Sequence, residues 1–521
     1  MRCPIINTFA SFRNLRNLEG FVRGSVDANQ LMKAACQLPK LDLLNVKVRR
    51  NIGERIDLDP LLFQELRLRS LTFKPSIRTI APFALSNASI RSILSNNYVR
   101  HVDLQLHDLD QLQLPKDFRC GSIETLRLAT TWFIGRSPEL IRSLSHTLTS
   151  LCLAFSASHE EVVRVLKELP KLVKLKEFEW AGSCTDQRHE YSPDPSLSPL
   201  LPRLSQLAFW ATCRSQVLNV LTMRAPQLEH LRIESSAPVL AKIQKDLTVR
   251  DALRAFLQRS SQISKALLWG LPLCDIEEDY PSIEMPLLTQ LEVYANSPYS
   301  LSLFRPGDRP IELSITIGED PPLEKRPVPS GAITRTFFES AEALTFHISD
   351  RFNHFQPFAI SIHLFSHLRV LSICGFAQHI KHVDKILEIL HHDQGCPVLE
   401  ELRIAKYPNW DALLGFISSR NSPTSNRIHS GAAPFRAVGL PRQPHPTIHY
   451  AIQRALAGGT QVALESWIIP PDMLSHLCLG CKSARIHTCQ WSDDEDAELS
   501  EYCLRHPPRA NVIITHDMPR L

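Results

Sequence analysis

The chain has 521 residues, with 58 lysines and arginines against 54 aspartates and glutamates, a formal net charge of +4. Hydrophobic residues make up 44% and charged residues 21%, the balance of a chain that buries a large core. The near-neutral charge excludes the basic stripe of a dedicated nucleic-acid binder, so no nucleic-acid partner is expected.

The first twenty residues hold no apolar run long enough for a secretory signal, because Arg13 and Arg16 interrupt it. No stretch reaches the ~20 apolar residues of a membrane helix, and the C-terminus is neither a prenylation nor a retention signal. No membrane partner is expected. The 13 cysteines are scattered and odd in number. Cys152, Cys213 and Cys374 fall in apolar-patterned segments, where a thiol acts as a small hydrophobe. The expected compartment is a reducing one, cytoplasm or nucleus.

Leucine, at about 74 residues, is well above an ordinary share, and proline, at 37, is twice as common as glycine, at 18. The leucines fall into one recurring pattern: an apolar residue, then further apolar residues three and five positions on. Phe12, Leu15 and Leu18 open the chain in a repeat-like way. Clear copies begin at Leu68, Ile123, Leu148, Leu175, Leu204, Leu228, Leu288, Leu368 and Leu399, and weaker ones at Leu41, Val99, Ile263, Ala341, Phe435 and Leu464. From Ile123 to Leu228 the steps are 25, 27, 29 and 24 residues, at or near the ~20–29 residue period of leucine-rich repeats.

Eight positions after the first apolar residue stand Ser76, Thr131, Ser156, Ser183, Thr212, Ser236, Asn296 and Ser349. A small polar side chain is needed there because the chain leaves the strand and its backbone groups lose their ladder partners. Phe376, Tyr407 and Arg49 break this rule in the outlying copies.

Amphipathic helices lie between the strand motifs. Ser158 to Glu161 reads as a capping box, followed by Val162, Val165, Leu166 and Leu169 on one face. Lys381 to His392, Asp251 to Gln258 and Trp410 to Ser418 have the same periodicity. Leu38-Pro39, Leu169-Pro170, Ala225-Pro226 and Cys396-Pro397 end helices ahead of the next strand.

The expected fold is therefore α/β, a leucine-rich-repeat solenoid (horseshoe) with parallel strands on the concave face and helices on the convex face. The alternative is a doubly wound α/β sheet, which also alternates strand and helix. A single array over residues 1–521 is expected, regular from about 60 to 410 and degenerate over 411–521. Proline- and serine-rich stretches at 184–202, 318–331 and 420–434 read as loops.

Residues two, four and six positions after the motif start face away from the core, because side chains alternate along a strand. They are Arg127, Glu177 and Glu179, Gln206 and Trp210, then His230, Arg232 and Glu234. Gln290, Glu292 and Tyr294 follow, with Glu401 and Arg403 from a later copy. Exposed aromatic and arginine side chains among polar neighbours suit a protein partner on the concave face; the alternative is a set of merely solvated strand positions. The sequence shows no phosphate loop, serine elbow or two-histidine zinc helix. A non-catalytic scaffold without a cofactor is expected. Its competitor is a zinc-binding or enzymatic protein using Cys478, Cys481, His487, Cys489, Cys503 and His506, which otherwise read as core or cap residues. The acidic run from Trp491 to Asp496 reads as a solvated loop or helix start.

The segment Leu399 to Ile404, then Tyr407-Pro-Asn-Trp410 through Leu414, then Arg420-Asn421, resembles a stretch common in fungal, mainly basidiomycete, F-box proteins. Leu440-Pro441-Arg442 and Ala455 to Gly458 continue the likeness. So do the Leu-Pro-x-Leu and Ala-Pro-x-Leu starts at Leu38, Leu201 and Ala225. The resemblance implies the substrate-recognition part of a ubiquitin ligase subunit, with repeats holding the substrate and an F-box docking the ligase adaptor. No Leu-Pro-x-Glu-type F-box precedes the repeats. The expectation is a shortened chain or a member that has lost it, and no docking residue carries over.

Overall fold

The computed structural model describes residues 13–49, 55–76, 83–108, 114–115, 117–132, 137–183, 198–235, 246–271, 283–295, 304–317, 338–348, 365–375, 380–392, 396–404, 409–421, 433, 435–440 and 446–456. The chain divides into two compact units, Met1–Pro272 and Leu273–Leu521.

In the first unit the strands are β1 (Asn17–Val22), β2 (Leu43–Val48), β3 (Arg55–Ile56), β4 (Ser70–Pro75), β5 (Ala84–Leu85), β6 (His101–Asp108) and β7 (Thr125–Trp132). They continue with β8 (Ser150–Ser156), β9 (Glu177–Trp180), β10 (Gln206–Ala211), β11 (His230–Ser235) and β12 (Lys265–Trp269). The helices are α1 (Ser25–Cys36), α2 (Pro60–Glu65), α3 (Asn87–Ser95), α4 (Ser137–Ser143), α5 (His159–Glu168), α6 (Arg214–Leu221) and α7 (Leu247–Arg259). β3 and β5 pair with each other; the other ten strands form a parallel sheet in chain order.

The second unit holds β13 (Ile283–Met285), β14 (Gln290–Ala295), β15 (Phe304–Pro306), β16 (Ile311–Ile317), β17 (Ala341–Ile348), β18 (Val370–Gly375), β19 (Glu401–Ile404) and β20 (Ala437–Gly439). Its helices are α8 (Ile380–His392), α9 (Trp410–Asn421) and α10 (Pro446–Leu456). β14 and β16–β20 are parallel and sequential, and β13 pairs with β15. Each unit is α/β of the leucine-rich-repeat type. A doubly wound sheet would reverse its strand order partway, and neither unit does.

The repeat motif builds the core directly. Leu126, Leu151, Phe178, Leu207, Leu231 and Ala266 stand side by side across β7–β12. Leu128, Leu153, Trp180, Phe209, Ile233 and Leu268 form the next row, and all twelve are buried. Trp180 meets Phe155 edge-on at 5.1 Å and stacks on Phe209 at 6.1 Å, so the largest rings of neighbouring repeats share one layer.

Helix ends follow local chemistry. Ser158 Oγ accepts from the Glu161 amide at 3.3 Å to start α5. Asp246 accepts from the Thr248 and Val249 amides at 3.0 and 3.2 Å to start α7, and its carboxylate also pairs with Arg214 of α6. After α3, Asn96 donates to the Phe63 and Leu66 carbonyls and accepts from the Tyr98 and Val99 amides. Asn421 does the same as the last residue of α9, donating to the Phe435 and Leu456 carbonyls and accepting from the Phe435 amide. One amide side chain thus ties adjacent repeats where helix carbonyls lack partners.

One loop boundary is corrected. Arg420 and Asn421, expected in the loop 420–434, close α9, because the Arg420 guanidinium donates to the Cys396 and Pro397 carbonyls and Asn421 is tied as above. Residues 198–202 of the expected loop 184–202 are held by a bridge between Leu200 and Arg224 and by the Leu201 amide on the Arg224 carbonyl. Residues 184–197, 318–331, 422–432 and 434 lie outside the described residues, as do the copy at Leu464 and the acidic run at Trp491.

Candidate functional site

Alternation leaves one face of each sheet without the apolar layer. In the first unit, strand register sorts this open face into rows. The middle row runs Asp103, Arg127, Cys152, Glu179, Ala208, Arg232 and Leu267 from β6 to β12. The outer row, nearer the strand C-termini, brings Ala129 beside Ala154 and aligns Trp210, Glu234 and Trp269 on β10, β11 and β12. Five of the expected residues, Arg127, Glu179, Trp210, Arg232 and Glu234, therefore share two adjacent rows. Glu177, Gln206 and His230 fill the inner row beside them.

Within this cluster Trp210 is 44% exposed, whereas Glu234 is 6% exposed and is met by the Arg232 guanidinium. A groove of about 450 Å³ opens at the C-terminal ends of β8–β10, with Trp210 as one wall and Ala154 and Ala181 in its lining. Ser156 and Ser183 edge it, their hydroxyls 2.6 Å apart. Gly182 is required here: a Cβ would lie 2.1 Å from the Phe155 carbonyl oxygen. The small polar residues that the repeat places at the strand exits thus also shape the groove.

Two ionisable groups in the middle row, Cys152 and Asp103, are shifted by burial. Burial pushes the Cys152 thiol up to about 12, and the neighbouring Glu179 carboxylate adds to the effect. It is a protonated thiol at neutral pH and so a poor nucleophile. Burial likewise raises the Asp103 carboxyl, against the opposing pull of Arg127, a hydrogen bond from Gln105 and the charge of Lys74.

Trp269, 41% exposed, and Asp103 belong to the same face but come from the weaker copies. The offset that picks Trp210 from Leu204 picks Trp269 from Ile263, so the signal was present in the sequence. Gln290, Glu292, Tyr294 and Arg403 lie in the second unit, on β14 and β19. There Gln290 donates to Glu312 at 2.6 Å and Arg403 to Glu401 at 2.7 Å.

Among the described residues, no three His, Cys, Asp or Glu side chains gather into a group that could hold a metal ion. The sequence candidates Cys478, Cys481, His487, Cys489, Cys503 and His506 lie outside the described residues. No helix among the described residues is long and apolar enough to cross a membrane. A scan against protein-family models finds no match, and a search of curated proteins finds no relative.

Proposed function

We propose that this chain is a non-catalytic scaffold that binds a protein partner through the open face of its first unit. The observation that carries this reading is Trp210, half exposed at the wall of an open groove and flanked by charged rows in register. A large aromatic beside an arginine and carboxylates is the composition of a protein-binding centre. A fixed parallel framework with variable outward positions is how repeat proteins build such surfaces. The likeness of the segment around Leu399–Asn421 to F-box proteins supports a finer reading. On that reading the partner is a substrate delivered to a ubiquitin ligase, in the cytoplasm or nucleus.

Affinity capture with the full chain, followed by mass spectrometry, tests both levels. The double variant Trp210→Ala, Arg232→Ala is expected to lose its captured partner while still unfolding cooperatively, at a lowered midpoint because Arg232→Ala leaves the buried Glu234 carboxylate unpaired. Retention of the partner by a folded double variant sinks the open-face reading. Recovery of a cullin-ligase adaptor with the wild-type chain is expected on the finer reading, and its absence confines the protein to scaffolding.

A further inference from the structure

The open face treats its exposed aromatics unequally. Phe21, 48% exposed at the outer-row position of β1, is covered by cations of its own chain. The Arg49 guanidinium carbon lies 4.2 Å from its ring centroid and Lys47 Nζ lies 5.5 Å away. Trp210 holds the outer-row position on β10, is nearly as exposed, and has no cation over its ring among the described residues. Its nearest charged neighbours are carboxylates and one cation, Arg232, which is already paired with Glu234. Glu234 lies directly across on β11; on β9, the strand on the other side, Glu179 lies one diagonal step away, beside Ala208, and Glu177 two residues farther along, beside Gln206. Glu177 and Glu179 are exposed and join no ion pair among the described residues.

An indole face is the strongest aromatic partner for a cation, and carboxylates at its rim deepen the attraction. The same face shows the arrangement completed internally at Phe21 and open at Trp210. We propose that Trp210 seats an arginine side chain of a bound polypeptide. The guanidinium stacks on the indole toward the β9 carboxylates, and the apolar stem lies in the alanine-lined groove. Arginine fits better than lysine because its planar head stacks on the ring while its edge donates to carboxylates. This assignment rests on the open face being the protein-binding surface, and names the chemistry it selects.

The test uses the full chain and three fluorescein-labelled peptides of equal length, alternating glycine with arginine, lysine or glutamate, read by anisotropy at low salt. The arginine peptide is expected to bind best. Trp210→Ala and the pair Glu177→Gln, Glu179→Gln are each expected to weaken it about tenfold or more, and Trp210→Phe to retain most of the affinity. Unfolding midpoints of all variants verify that the fold survives. Equal binding of the lysine peptide with no response to Trp210→Ala overturns the stacking seat. Preference for the glutamate peptide, lost in Trp210→Ala, overturns the arginine assignment but leaves the open face as a binding surface. Indifference of every peptide to Trp210→Ala overturns the assignment, and together with partner capture that survives Trp210→Ala, Arg232→Ala it removes the surface itself.

Discussion

Phe209 and Trp210 are consecutive aromatic residues on one strand, and they live in different worlds. Phe209 is buried to 1% exposure in a row that repeats the same apolar chemistry strand after strand. Trp210 stands in a row whose neighbours are Glu234 and, beyond it, Trp269. The core face is uniform because every repeat must bury the same surface against its neighbours. The open face has no such obligation, so its residues differ from strand to strand. Conformity on one side is what leaves variety available on the other.

The largest effect should come from the uniform side. Phe209→Ala is expected to cost about 3–5 kcal/mol, read as a drop in the denaturant midpoint, because a ring stacked on Trp180 is replaced by a cavity. A loss below about 1 kcal/mol would show that the repeats tolerate voids and would erase the contrast between the faces. Gly182→Ala, where the faces meet, should cost about 1–3 kcal/mol, since its Cβ meets a backbone oxygen that cannot swing aside.

Asp246→Ala, on the helix side, should cost about 1–2 kcal/mol through the lost cap of α7. Hydrogen bonding to Arg214, opposed by burial and aided by the Val249 and Thr248 amides, holds this carboxyl below its ordinary value. A depressed folded value means that its stabilisation is present above the ordinary carboxylate range and is lost as pH falls through the folded value. The gap between wild type and variant should therefore narrow in denaturation curves taken well below about pH 4. Smallest of all should be Trp210→Ala, at about 1 kcal/mol or less in stability, with partner binding lost. Calorimetry that finds Trp210→Ala as damaging as Phe209→Ala would make Trp210 a core residue.

The core was readable because its rule is strict. Apolar residues at the motif start and three and five positions on became buried strand or pre-strand residues in nearly every described copy. β16 escaped the rule: Ile311, Leu313 and Ile315 are spaced two and two, and the ladder absorbs the missing residue between Ile311 and Glu312. The tie residues Asn96 and Asn421 were unreadable as such, since an asparagine at a helix end looks the same whether it faces water or bridges a neighbouring repeat. On the open face the strand offset placed Trp210, Arg232 and Glu234 together. It could not say that Glu234 is buried under Arg232, because burial there depends on the strands alongside and not on the strand's own letters.

The shared register of β10, β11 and β12 has a metric consequence. Adjacent strands lie ~4.8 Å apart, and a chain in the polyproline II conformation advances ~3.1 Å per residue and returns to the same face at every third residue. Two strand steps and three residues thus come to nearly the same length, close to 10 Å. The face acts as a vernier: a chain lying across it in this three-residue-per-turn conformation falls back into step every second strand. Trp210 and Trp269, two strands apart, would be addressed by residues i and i+3 of such a chain, with the residues between them passing over Glu234.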